Sequence, residues 1–138
     1  MTATGTGPLL AATRDDYSQS QASAGQQIYT QHCAACHGSQ LQGGAGPALA
    51  GPKFADNLSY SKMTAKQLFD FIKSQMPNDA PGSLSDRQYL DVFAYILSKN
   101  GYPAGLTALS EKTLGQIKLL PYPGGNSDQE AGTTSSPK

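Results

Sequence analysis

Residues 33–37 are Cys-Ala-Ala-Cys-His, a run that contains both cysteines of the chain and one of its two histidines. Two thiols three positions apart lie on one side of a helical turn, where each can form a thioether with a vinyl group of a haem. His37 follows directly, so its imidazole can coordinate the iron from the proximal side. The spacing predicts one haem c, attached covalently through Cys33 and Cys36, with His37 as an iron ligand.

Other uses of a Cys-x-x-Cys pair fit this sequence less well. A thioredoxin-like redox pair is typical of a βαβ unit, and no β-branched strand run precedes Cys33. A disulfide between two such close cysteines closes only a short loop, so it stabilises a fold little. A zinc site needs more ligands than this run and His32 readily supply.

The ligand on the opposite side of the iron decides whether the iron can bind a substrate. The candidates are Met1, Met63, Met76 and His32. Met76 precedes a proline at a predicted helix end, from which a loop can fold over the distal face. Met63 precedes a capping threonine and is expected to pack against the helix, whereas His32 lies on the proximal side. We predict Met76 as the second axial ligand, with an open or water-bound site as the alternative.

The composition favours a fold built around a large apolar group. A chain of 138 residues suggests one domain, yet only 38% of them are hydrophobic, and 15 glycines and 9 prolines are present. A haem at the centre of the core would compensate for this small apolar inventory. The net charge of zero gives no indication of a nucleic-acid partner. No apolar run approaches the ~20 residues that a transmembrane helix needs.

The first residues lack the basic and apolar regions of an export signal. Haem is attached to a C-x-x-C-H run after export. We therefore expect a periplasmic or secreted protein from which a leader has been removed, with Met1 as an added start.

Small polar residues dominate both ends of the chain. Residues 1–22 are predicted to form a flexible arm or linker, residues 23–120 the haem domain, and residues 121–138 a flexible tail or linker. Such flanks suit either a free-standing secreted monomer or one module of a longer chain.

Between these ends the sequence predicts helices. A first helix is expected over 24–36, followed by an irregular glycine-rich stretch over 38–51. Capping boxes at Thr64 and Ser85 predict two more helices. The second of these has apolar residues at helical spacing and ends at Asn100-Gly101. A short fourth helix is expected over 110–117. The predicted fold class is all-α, with three to four helices around one haem.

These pieces together resemble the class I c-type cytochromes over residues 25–105. The similar segments are Gly25-x-x-x-Tyr29, Cys33-Ala-Ala-Cys36-His37-Gly38, Gly46-Pro47-x-Leu49, Gln75-Met76-Pro77 and Leu90-x-x-Phe93-x-Tyr95-Ile96-Leu97. The resemblance implies the cytochrome c fold, in which the first and last helices cross at a glycine and an aromatic residue. Here Gly25 would meet Phe93 or Tyr95. It also implies that the Pro47 carbonyl accepts a hydrogen bond from the proximal His37.

Residues 76–85 and 100–105 are similar to cytochrome c subunits and domains that accept electrons from quinoprotein (PQQ) dehydrogenases. Asn78 and Tyr60 stand where members of that group often carry a second proline and a tryptophan. The resemblance implies a dehydrogenase as electron donor and an oxidase or another cytochrome as acceptor. The same chemistry would serve a tethered relay inside a larger oxidoreductase.

The sequence therefore predicts an electron carrier rather than an enzyme. The alternative is a haem peroxidase or gas sensor with an open distal site. A peroxidase needs a distal acid–base residue, and the predicted distal loop offers only Asp79.

Overall fold

The computed structural model describes residues 16–123, and these are mainly helical. The helices are α1 (Gln19–His32), α2 (Ala34–His37), α3 (Pro52–Ser61), α4 (Ala65–Gln75) and α5 (Asp86–Lys99), followed by a 3₁₀ helix at Leu114–Gln116. The two-residue strands β1 (Tyr17–Ser18) and β2 (Ala104–Gly105) pair in parallel. The predicted all-α fold is confirmed. No helix within residues 16–123 has the length and apolar character required to cross a membrane.

Both predicted capping boxes are present and start their helices. The Thr64 hydroxyl accepts from the Gln67 backbone N–H at 3.1 Å, and the Gln67 side chain accepts from the Thr64 N–H at 2.9 Å. Ser85 and Gln88 repeat this pair of bonds at 3.1 and 2.9 Å. Helix α5 also ends where Asn100 was expected to stop it. Local side-chain chemistry therefore fixes these three helix boundaries.

The first helix differs from its predicted range of 24–36. It begins at Gln19 because Ser18 and Gln21 form a third capping box. It ends at His32, and a separate turn over Ala34–His37 continues from it. The start was predicted too late because the polar residues before position 24 give little apolar periodicity, while the cap itself needs only Ser18 and Gln21.

The prediction missed helix α3, and its fourth helix is largely absent. In α3 only Phe54 and Leu58 are buried, so the apolar pattern has just two members, and the helix start depends on Pro52 at its first position. The expected helix over 110–117 is reduced to the 3₁₀ turn at Leu114–Gln116.

Helices α1 and α5 cross in close contact at Gly25. A β-carbon on Gly25 would overlap the Asp91 carbonyl oxygen and lie 2.9 Å from the Tyr95 β-carbon. One turn along α1, the Tyr29 ring packs on Tyr95 with the ring centroids 5.5 Å apart. Of the two partners expected for Gly25, Tyr95 is the one in contact. The Phe93 ring instead packs edge-on against Phe69 of α4 at 5.7 Å.

Short parts of both predicted flanks pack against the domain. The Tyr17 hydroxyl donates to the Tyr102 carbonyl at 2.8 Å. Buried Gln21 exchanges two hydrogen bonds with the Leu109 backbone, at 2.8 and 2.6 Å. Near the other end, the Tyr122 ring lies edge-on to Phe54 at 6.5 Å. Tyr17, Gln21 and Tyr122 thus pack into the domain, while the predicted arm before residue 16 and the tail after residue 123 lie outside the described residues.

The contact at Gly25 generates a stability prediction. Gly25→Ala inserts a methyl group where the α5 backbone already lies, so we expect the unfolding free energy of the haem-loaded protein to fall by about 3 kcal/mol or more. Urea unfolding followed by circular dichroism measures the change. Gly115→Ala is the control, since a β-carbon there meets no atom within 4 Å. An equal stability for both variants would contradict the close crossing.

Candidate functional site

Cys33, Cys36 and His37 lie in one tight turn at the end of α1. The Cys33 carbonyl accepts from the backbone N–H groups of Cys36 at 3.2 Å and His37 at 3.0 Å. Both cysteines are free thiols; Cys33 is half-buried and Cys36 is exposed. Burial raises the pKa of the Cys33 thiol to about 11, with a smaller contribution from Cys36. The two cysteines are neighbours on one turn, an arrangement that suits two thioether bonds to one ring.

The His37 imidazole is buried and oriented by a backbone carbonyl. Its Nδ1 lies 2.7 Å from the Pro47 carbonyl oxygen, and its side chain is among the buried polar groups. A carbonyl can only accept, so Nδ1 carries a proton, and in the neutral ring the lone pair is then on Nε2. Nε2 has no hydrogen-bond partner among residues 16–123. A nitrogen without a partner, on a buried side chain, fits an iron ligand, so the residues present fit a haem at this position.

Gly46 leaves the space that the His37 ring occupies. A β-carbon on Gly46 would lie 2.9 Å from Cε1 of His37 and 3.0 Å from its Nδ1. The Gly46 backbone is itself bonded to the turn over residues 33–37, because its N–H donates to the Cys36 carbonyl at 2.7 Å. The Gly46-Pro47 pair therefore combines clearance for the ring with a hydrogen bond that fixes its angle.

One side chain from α1 and one from the residue directly after α5 hold the loop over residues 38–51. The Tyr29 hydroxyl donates to the Gly38 carbonyl at 2.6 Å. At the other end of the loop, Asn100 donates to the Leu49 carbonyl at 2.8 Å and accepts from the Gly51 N–H at 3.2 Å. The Tyr122 hydroxyl also contacts the Asn100 side-chain oxygen, at 2.5 Å. The sequence analysis treated Asn100 only as a helix stop and missed this role.

Met76 lies in a different part of the fold, directly after α4. It is half-buried, and its N–H donates to the Ile72 carbonyl at 2.9 Å. Its carbonyl accepts from the Tyr89 hydroxyl at 2.6 Å. Met76 makes no hydrogen bond with the other predicted site residues. The competing candidates lie elsewhere: Met63 is half-buried before the Thr64 cap, and His32 is exposed at the end of α1.

The residues that could bind a metal otherwise form no cluster. Among residues 16–123, no group of three or more His, Cys, Asp or Glu side chains is placed to hold an ion. An open cleft of about 600 Å³ lies between the loop over 42–48 and helix α3, which contributes Lys53, Asp56 and Asn57. Helix α3, which the sequence did not predict, therefore lines one side of this cleft, opposite the loop over 42–48.

Comparison with known proteins agrees with this fold. Residues 20–96 match the family described as cytochrome c oxidase, cbb3-type, subunit III. One chain of the crystal structure of the sulfane dehydrogenase SoxCD from Paracoccus pantotrophus superposes with a TM-score of 0.56 at 19% identity, over 87% of this chain and 68% of that one. At this identity the similarity shows the fold alone. No curated protein matches the chain.

The family match and the helical fold define a class I c-type cytochrome, an electron-transfer protein that carries haem c. More particularly, the chain belongs to the family of cbb3-type cytochrome c oxidase subunit III, because the match covers more than half of its 138 residues. The roles of Cys33, Cys36, His37, Pro47 and Met76 at the haem stay predictions.

Tyr29 generates a pH prediction. Tyr29→Phe removes the donor to the Gly38 carbonyl, which we expect to cost about 1–2 kcal/mol of unfolding free energy near pH 8. Burial, with smaller contributions from Cys33 and Tyr95, raises the pKa of Tyr29 to about 12, while an unfolded tyrosine titrates near ~10. The contribution is therefore present below about pH 10 and is lost as the pH rises toward about 12.

Urea unfolding midpoints of wild type and Tyr29→Phe at about pH 8, 10 and 11 measure this difference. Tyr60→Phe is the matched control, because the Tyr60 side chain is 91% exposed. A cost of Tyr29→Phe that stays constant from pH 8 to pH 11 would contradict the raised pKa.

Proposed function

We propose that this chain is a mono-haem cytochrome that carries single electrons, with the haem attached through Cys33 and Cys36 and the iron held between His37 and Met76. The observation that carries the proposal is the hydrogen bond that orients the buried His37 imidazole. Its Nδ1 is fixed to the Pro47 carbonyl at 2.7 Å, which leaves Nε2 of this buried side chain to coordinate the iron, directly after the two cysteines.

A haem bound in this position supplies a one-electron couple. The chain's own residues keep the ligands in place. The Pro47 carbonyl and Gly46 hold the His37 ring at one angle. The Met76 main chain is bonded at both its N–H and its carbonyl. Ligands held this firmly change little in position between oxidation states, so little reorganisation accompanies electron transfer.

An enzyme or gas sensor would need an iron with a free coordination position. A peroxidase would also need acid–base side chains near it, and this part of the chain offers few. The loop after Met76 carries Asp79 as its sole ionisable side chain, and His32 is exposed at the end of α1. These positions favour electron transfer over peroxidase chemistry, which needs a distal acid–base residue.

We further propose that the donor is a periplasmic or secreted dehydrogenase of the quinoprotein class and the acceptor an oxidase or another cytochrome. The similarity of residues 76–85 and 100–105 to cytochromes of that group supports the donor. The family description names an oxidase subunit, and the structurally similar chain comes from a dehydrogenase. Both names describe redox assemblies, which supports redox proteins as the partners of this chain. The chain would serve such partners either as a free-standing protein or as a module of a longer one.

The surface available for docking is weakly charged. Two of its lysines are already paired with carboxylates: Lys66 with Asp70 at 2.7 Å, and Lys73 with Asp86 at 2.9 Å. Small residues such as Ala45, Ala80 and Pro81 are exposed. We propose a small, partly apolar contact of the kind that transient redox partners use.

Replacement of Met76 tests the ligand assignment. In Met76→Ala we expect the near-infrared band of sulfur-to-ferric-iron charge transfer to disappear, the reduction potential to fall, and added cyanide to bind, because the sixth position is no longer filled. Optical spectra and a redox titration measure these changes. Met63→Ala is the matched control and should leave all three unchanged. A Met76→Ala spectrum identical to wild type would refute the assignment.

The donor class has its own test. Stopped-flow mixing of the oxidised protein with a PQQ-dependent alcohol dehydrogenase and its alcohol should reduce the haem. The rate should change by less than about threefold between low salt and ~0.3 M salt, since the net charge is zero. Ascorbate is the control reductant. Reduction by ascorbate but not by the dehydrogenase would leave electron carriage intact and refute this donor class.

A further inference from the structure

Tyr89 bonds to both ends of the loop that follows helix α4. Its hydroxyl donates to the Met76 carbonyl at 2.6 Å and accepts from the Leu84 N–H at 3.3 Å. Tyr89 belongs to α5 and its side chain is 1% exposed. One buried phenol therefore connects the last long helix to residues 76 and 84 at the same time.

The loop has few other connections to the rest of the fold. Its internal bonds run from the Ala80 N–H to the Pro77 carbonyl at 2.9 Å, from the Gly82 N–H to the Met76 carbonyl at 3.3 Å and from the Ser83 N–H to the Ala80 carbonyl at 3.2 Å. Residues 78–83 are exposed. The ion pair of Lys73 with Asp86 also joins α4 to α5, but both side chains are partly exposed to solvent, and such pairs stabilise little.

Helix α5 is itself fixed independently of the loop. It crosses α1 at Gly25, and its Phe93 packs on Phe69 of α4. The Tyr89 hydroxyl is therefore carried by a helix whose position is fixed by packing. The Met76 N–H is bonded to α4 and the Met76 carbonyl to α5, so both polar groups of its main chain are held from packed helices.

We propose that Tyr89 is a positioning residue that holds Met76 at the haem iron, and that it sets how often the methionine leaves the sixth position. This inference rests on the proposed function, since it takes Met76 as the ligand. Without the hydroxyl, the Met76 carbonyl keeps only the longer bond from Gly82, and the Leu84 N–H loses its acceptor. The loop then opens more often, while the haem stays attached through the cysteines.

The test measures ligand exchange in the haem-loaded protein. Imidazole binds ferric iron only after Met76 leaves, so its limiting rate at high concentration reports that step. In Tyr89→Phe we expect this rate to rise about three- to tenfold, as the loss of one buried hydrogen bond predicts. The reduction potential should fall between the values of wild type and Met76→Ala.

Tyr102→Phe is the matched control. It also removes a buried phenol hydrogen bond of 2.6 Å, in this case to the Leu119 carbonyl, and so lowers stability without touching the loop over 76–84. Its imidazole rate and potential should equal those of wild type. Tyr95→Phe is a second control, on the same helix as Tyr89 and with no hydrogen bond to the loop.

The outcomes separate this inference from the function on which it rests. Faster exchange in Tyr89→Phe alone supports the positioning role. Equal acceleration in Tyr89→Phe and Tyr102→Phe overturns it, since general destabilisation would then suffice, and so does no acceleration in either. If Met76→Ala keeps the wild-type spectrum, the ligand assignment itself fails, whatever Tyr89→Phe does.

Discussion

The close crossing of α1 and α5 at Gly25 is the contact on which the rest of the structure depends. With no side chain at Gly25, the α1 backbone approaches the Asp91 carbonyl directly, and Tyr29 packs on Tyr95 one turn further along. Helix α1 ends in the turn that carries both cysteines and His37. Helix α5 carries the hydroxyl that reaches Met76. The crossing therefore fixes the distance between the two parts of the chain that we propose to face each other across the haem.

The loops next to the proposed ligands are held by side chains rather than by regular backbone pairing. Tyr29, Tyr89 and Asn100 each bond to a loop carbonyl, at Gly38, Met76 and Leu49 respectively. Tyr29 and Tyr89 belong to the crossed helices α1 and α5, and Asn100 directly follows α5. A glycine-rich segment has a large conformational entropy to lose, and these few bonds to buried groups restrict it where the ligands lie. Rigid helices thus control irregular segments through a small number of polar contacts.

Much of the fold was predictable because it depends on neighbours in sequence. The capping boxes at Thr64 and Ser85 require only residues three apart, and both started their helices as expected. The same signal at Ser18 was present and overlooked, so α1 was placed too late. Helix α3 could not be found in this way, because Gly51 provides no side-chain cap and only Phe54 and Leu58 face the core. The 110–117 segment was predicted as a helix but forms only one 3₁₀ turn.

The sequence by itself determined the chemistry that we propose for the attachment site, because Cys33, Cys36 and His37 lie within five residues and their spacing is a local property. It also determined the all-α class, which the caps and the apolar spacing specify within single segments. Only the tertiary structure decided which distant groups meet: Tyr95 rather than Phe93 at Gly25, Asn100 at Leu49, and Tyr89 at Met76. The physical reason is that a hydrogen bond between residues 13 or 51 positions apart depends on how whole helices pack, and no local pattern of residue types encodes that packing.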